Sequence, residues 1–314
     1  MSQFVYDKEY NVKLYGFEKM HPFDTCKFEK IARHLQELGV SSFASAPEVT
    51  DEQLLKIHTE EYLERLRNKY EVADLCEMFI LKWCPIFFIR NYILKPMRYQ
   101  VSGTILAGEI AIERGWSINL GGGMHHASSN DAGGWCLYSD IPLSIKNLFD
   151  KKKIKKAMII DLDVHQGNGI ETDIQDGFFP ADSVYMIDAY NHNIFPAEKH
   201  LKKIINIDIK VSKRTTDSTY LKNIKDALSK SKREFKPDIV FYNAGTDILD
   251  GDPLNGGVSI SFDGVIKRDE LVFRSFIKDK IPIVMVLSGG YSSESVNVIK
   301  SSLENLYKNV LTNN

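Results

Sequence analysis

The sequence predicts an α/β fold, a single domain with a central, mainly parallel β-sheet flanked by helices. Three observations carry this. Short β-branched apolar runs alternate with amphipathic helical patterns over the last two-thirds of the chain, as in repeated βαβ units. The runs are apolar throughout, as in strands buried on both faces. The 314 residues contain no linker, repeat or low-complexity tract, so one domain over 1–314 is expected.

The first third reads as helical, over 24–38 and 60–69. A helical pattern at 100–114 leads into a strand at 116–120 that ends in three glycines. Further strands are expected at 154–162, 184–188, 204–209, 238–243 and 283–287. Helical patterns over 220–235, 264–278 and 292–311 lie between or after them. The basic run at 151–156 (KKKIKK) reads as a solvated turn ahead of a strand rather than a polyanion site.

Composition narrows the function classes. Lysine and arginine total 40 against 42 acidic residues, a net charge of -2, which gives no general attraction to nucleic acid. The four cysteines, Cys26, Cys76, Cys84 and Cys136, form no C-x-x-C pair and are too sparse for a disulfide scaffold. The most apolar early stretch, 79–94, is interrupted by Lys82, Pro85 and Arg90, so no membrane span is expected. The first sixteen residues lack the basic start and apolar block of a secretory leader. The expectation is an intracellular protein, cytoplasmic or nuclear.

In an open parallel sheet, ligands bind at the carboxyl ends of the strands. Four strand ends here carry polar groups beside glycines: GGGMHH (121–126), DLDVHQGNG (161–169), NAGTD (243–247) and SGGY (288–291). Asp161, Asp163 and His165 are spaced by two and share one face of an extended chain. Asp163 and His165 can converge on one ion, with Asp247 arriving from a neighbouring strand end. Two carboxylates and one imidazole leave a coordination position open, the pattern of a catalytic zinc site. The same donors also suit iron(II) or cobalt. His125 and His126 supply groups that titrate near neutral pH. Asp161 and Asn168 are candidates to orient one histidine each, and an aspartate raises its partner's basicity more than a neutral asparagine does. Tyr291 stands where a phenol can donate to a polarised carbonyl oxygen.

These motifs, GGGMHHA (121–127), DLDVHQGNG (161–169), NAGTDILDGDPL (243–254) and SGGY (288–291), resemble the zinc-dependent histone deacetylases of the arginase/deacetylase fold. The resemblance covers residues 6 to 308. It is nearest to the class IV branch through HPFD (21–24), ERGWSINLGGG (113–123), YNAGTDIL (242–249) and IKRDELVF (266–273). It implies one Zn2+ per chain held by Asp163, His165 and Asp247. It implies His126 as general base, His125 as electrostatic partner or acid, and Tyr291 as the carbonyl-polarising phenol. It also implies that Trp135 and Phe195 form pocket walls and that the Gly134 carbonyl accepts the substrate amide hydrogen. The substrate implied is an acyl-lysine protein or peptide, acetylated or carrying a long fatty-acyl chain, and corepressor-type protein partners are in keeping with the family. Asn168 departs from the aspartate of the class I pattern.

Three other readings use the same residues. One is an amidohydrolase of acetylpolyamines. Another is an arginase-like enzyme with two manganese ions, for which the strand ends carry too few further aspartates. The third is a catalytically silent acyl-lysine-binding scaffold, against which the complete set of ligands, histidines and tyrosine argues.

Overall fold

A computed structural model describes residues 2–14, 16, 18 and 23–311; His21 and Pro22 of the HPFD run lie outside them. Seven strands form one sheet: β1 (Phe4–Val5), β2 (Trp116–Asn119), β3 (Ala157–Asp161), β4 (Val184–Asn191), β5 (Ile207–Val211), β6 (Ile239–Asn243) and β7 (Ile283–Val286). Their order is β1-β2-β7-β6-β3-β4-β5, and every neighbouring pair is parallel. The α/β architecture with a parallel sheet is the one expected.

Alternation along each strand divides the core in two. Ala157, Ile159, Ile239, Phe241, Val284 and Val286 pack on one face, with the helices Lys95–Arg114 and Asp140–Asp150. Met158, Ile160, Val240, Tyr242, Ile283 and Met285 pack on the other, with the helices Lys27–Glu37, Asp217–Glu234, Phe262–Ile277 and Ser295–Leu306. Both faces are covered, which is why the strands carry unbroken apolar runs. The polar strand ends at 120–126, 161–165, 243–247 and 287–291 follow β2, β3, β6 and β7. Those four strands are contiguous in the sheet, so its order gathers them at one edge.

Several elements differ from the sequence-based expectation. The strand expected at 204–209 is β5, displaced toward the C-terminus because Lys199–Ile204 closes a 3-10 turn. The expected 60–69 helix splits at Asn68, whose side chain caps a second helix, Lys69–Leu75, by accepting from Tyr70 N at 3.0 Å. The 100–114 helix begins earlier, at Lys95, because Pro96 is tolerated in a first turn. The helix Asp140–Asp150, with Pro142 in its first turn, was not among the expected elements. The helix Asn168–Gln175 starts inside a glycine-rich run. Strand β1 is two residues long, too short for any periodicity.

One buried cation ties this edge together. Arg268, fully buried in the helix Phe262–Ile277, donates to the carbonyls of Leu162 at 3.2 Å, Gly245 at 2.6 Å and Ala244 at 3.2 Å, and pairs with Asp269 at 2.8 Å. These carbonyls belong to the two loops that carry Asp163 and Asp247. Removing the guanidinium leaves Asp269 and three carbonyls without it. Arg268→Ala should therefore lower stability by about 3–5 kcal/mol in chemical denaturation; a loss under about 1 kcal/mol would show that Arg268 does not tie the loops.

Candidate metal centre and catalytic pocket

Asp163, His165 and Asp247 offer donor atoms that lie within 4.8 Å of one another, and all three residues are buried. The His165 ring presents Nδ1 to both carboxylates, 3.1 Å from Asp163 Oδ1 and 3.0 Å from Asp247 Oδ2. The backbone holds each carboxylate in place. Asp163 Oδ1 accepts from His165 N at 3.0 Å, Asp163 Oδ2 from Gly289 N at 3.2 Å, and Asp247 Oδ1 from Val164 N at 2.9 Å. Glycine is required where the loops close on them. A Cβ at Gly245 would lie 2.1 Å from Asp163 Oδ2, and one at Gly289 would lie 2.6 Å and 2.7 Å from the Asp163 and Asp247 oxygens.

The electrostatics fit a divalent cation. Burial and the neighbouring Asp163 push the Asp247 carboxyl up to about 7. Burial opposes a charge on His165, but Asp163 and Asp247 outweigh it and raise the imidazole to about 11. A metal ion placed among the three would replace that proton and neutralise both carboxylates. Among the described residues this is the one such group of three.

The two adjacent histidines have different partners. His125 Nδ1 lies 2.9 Å from Asp161 Oδ2, and Asp161 Oδ1 accepts from Asn243 Nδ2 at 2.9 Å. Burial disfavours the imidazolium, yet Asp161 and Asp163 raise His125 to about 9. His126 Nδ1 lies 2.8 Å from Asn168 Oδ1. Burial, then the positive His125 and His165, hold His126 well below its ordinary value. The loop carrying both is anchored by Asp140, whose carboxylate accepts from Gly123 N at 2.9 Å and Met124 N at 2.8 Å.

Asp163, His125 and His126 line a narrow cavity of about 50 Å³, together with Phe23, Gly134, Trp135 and Tyr291. Tyr291 is fixed by Asp252, whose Oδ2 accepts from Tyr291 N at 2.7 Å and Ser292 N at 2.9 Å. Burial, and behind it Asp163 and Asp247, raise the Tyr291 phenol well above its ordinary value, so it stays protonated. The Trp135 ring is buried in the wall, and its backbone N donates to Leu75 O at 3.3 Å. Phe195 is 54% exposed, and its ring lies 5.1 Å from that of His126. The structure thus places Asp163, His125, His126, Gly134, Trp135 and Tyr291 on one cavity, with His165 and Asp247 against Asp163, Asp161 and Asn168 each behind one histidine, and Phe195 beside His126.

Sequence reading missed four residues here. Phe23 stands between Trp135 and Tyr291, with ring centroids 6.3 Å and 5.9 Å away. Lys27 is fully buried; its Nζ donates to Ser288 O, and burial lowers it to about 8 against the pull of Asp163. Asp252 lay in a quoted motif without a role. Glu198 Oε1 accepts from Asn168 Nδ2 at 2.8 Å. None had a local signal, because each acts on a residue distant in sequence.

The family model described as "Histone deacetylase domain" matches residues 21–306. Histone deacetylase 2 of Arabidopsis thaliana is 42% identical over 96% of this chain and 78% of its own length. Human histone deacetylase 1 is 27% identical over 78% of this chain, and the match spans 51% of that protein. The crystal structure of the HDA15 HD domain superposes with a TM-score of 0.73 at 20% identity, covering 97% of this chain and 90% of that one, a likeness of fold.

The centre should bind about one divalent ion per chain. His165→Ala should abolish that binding, and Gly245→Ala should weaken it by about tenfold or more by displacing Asp163. Metal analysis after dialysis measures both. Full retention by His165→Ala would remove that residue from the centre.

Proposed function

Because the chain belongs to the histone deacetylase family, we propose that it hydrolyses the amide of N6-acyl-lysine in proteins or peptides, as one catalytic domain with one zinc ion. A single observation supports this most: two histidines of opposite electrostatic character, a tyrosine and the metal donor Asp163 line one cavity, with His165 and Asp247 close beside Asp163. The motif resemblance puts the chain nearest the class IV branch.

Asp163, His165 and Asp247 would hold the zinc ion, which would supply Lewis acidity to the substrate carbonyl and to water. His126, kept neutral by burial and by its charged neighbours, takes the proton from the attacking water. His125, kept cationic by Asp161, stabilises the developing negative charge and supplies a proton to the departing lysine amine. Tyr291 remains protonated and donates to the tetrahedral oxyanion. Gly134 offers its carbonyl to the substrate amide hydrogen. Trp135 packs on the lysine stem inside, and Phe195 does so at the mouth.

Acyl length is decided by space. One water-sized group needs roughly 10–15 Å³ measured this way. A cavity of about 50 Å³ holds a few such groups, which supports acetyl as the acyl group. The class IV resemblance makes a long acyl group a candidate alongside acetyl, and Phe28 and Met97 are among the lining residues beside which it would need room.

Two measurements test the reading. Tyr291→Phe should reduce kcat by on the order of hundreds-fold with zinc retained; full activity would remove the oxyanion role. Across a series of acyl-lysine peptides, acetyl-lysine should be hydrolysed faster than myristoyl-lysine. The reverse order would show that the cavity opens and would support the fatty-acyl reading.

A further inference from the structure

The base histidine leans on a neutral amide, and an amide can face an imidazole either way round. With its oxygen toward His126, Asn168 accepts a hydrogen from Nδ1, and the Nε2 lone pair is free to take a proton. With its nitrogen toward His126, Asn168 donates to Nδ1, the ring hydrogen sits on Nε2, and the base is disabled. Asn168 does not make this choice by itself.

Glu198 makes it. Its Oε1 lies 2.8 Å from Asn168 Nδ2. A carboxylate accepts and does not donate, so it takes the amide N–H and leaves Oδ1 to His126, 2.8 Å away. Glu198 is itself held at its backbone. Its N donates to Gln166 Oε1 at 2.8 Å, and its carbonyl accepts from Gln166 Nε2 at 3.1 Å. Gln166 follows the metal donor His165 directly, so the loop bearing Glu198 is referenced to the metal centre. The same loop brings the Phe195 ring against His126. The exposed His200 ring lies beside it, with Nε2 3.7 Å from Glu198 Oε2.

We propose that Glu198 is a positioning residue that sets the tautomer of His126 through Asn168, so that an asparagine and a glutamate together replace the single carboxylate that supports His125. The proposal rests on the reading of His126 as the base.

The test uses the full zinc-loaded chain. Long-range 1H–15N spectra of the histidine rings report the tautomer without any substrate. His126 should carry its hydrogen on Nδ1 in the native protein and should shift wholly or partly to Nε2–H in Glu198→Ala. With an acyl-lysine peptide, Glu198→Ala should lower kcat by about 10–100-fold, with KM and zinc content little changed. Asn168→Asp alone sets two carboxylates against each other and should also lower kcat. Combined with Glu198→Ala, it should recover most of the lost turnover, because a carboxylate accepts from Nδ1 whichever way it turns. A purely structural loss at position 198 would show no such rescue. An unchanged tautomer in Glu198→Ala, or a double variant no better than Glu198→Ala, would overturn the proposal. If the native chain cleaves no acyl-lysine, the proposed activity fails, and the tautomer spectra still decide the role of Glu198.

Discussion

Two carboxylates buried side by side govern this structure. Asp163 and Asp247 follow β3 and β6, which are paired in parallel, so the sheet itself brings them together. Neither touches solvent appreciably. Burial disfavours the charge on each and like charges repel in a low-dielectric interior; burial first, then Asp163, push the Asp247 carboxyl up to about 7. A divalent cation resolves that conflict, and the surrounding sequence is arranged for one. Glycines stand where any side chain would strike a carboxylate. Backbone amides fill the remaining acceptor positions, and Arg268 clamps the carbonyls of both loops from behind.

The same field separates the histidines. They are neighbours in sequence, with ring centroids 4.1 Å apart, and two cations that close would repel. The carboxylate of Asp161 decides which one is charged. His125 takes the proton, and its charge, added to that of His165, keeps His126 neutral. A carboxylate in place of the Asn168 amide would raise the basicity of His126 and would accept from Nδ1 whichever way it turned. The neutral amide leaves His126 less basic than His125 and supports it only while something fixes which way the amide faces.

Much of this was legible in the sequence because strand-end chemistry is local. Asp161, Asp163 and His165 sit on one short segment, and their spacing declares a shared face. The glycines beside His125 and Tyr291 mark places where backbone approaches closely. The sheet was legible because it is buried on both faces. The remainder depends on distant partners. Lys27 looks like any helix lysine until the fold carries it beneath Ser288, 261 residues away. Arg268 and Glu198 likewise carry no local sign of what they hold. Trp135 and Phe195 came from family resemblance, since aromatic residues in loops are ordinarily core.

Chemistry and selectivity draw on different parts of the chain. The reacting groups all come from strand ends in the last two-thirds. Much of the cavity's far wall comes from elsewhere: Val12, Thr25 and Phe28 from the first third, and Met97 and Gln100 from the helix Lys95–Arg114. Substitution there changes the room for an acyl group without touching a metal donor, a histidine or Tyr291. Met97 is unbranched and adapts its shape readily, whereas Phe28 is rigid. On the proposed reading, acyl length would diverge within this fold while the hydrolytic machinery stayed fixed, because the first third of the chain lines the cavity and carries none of the proposed reacting groups.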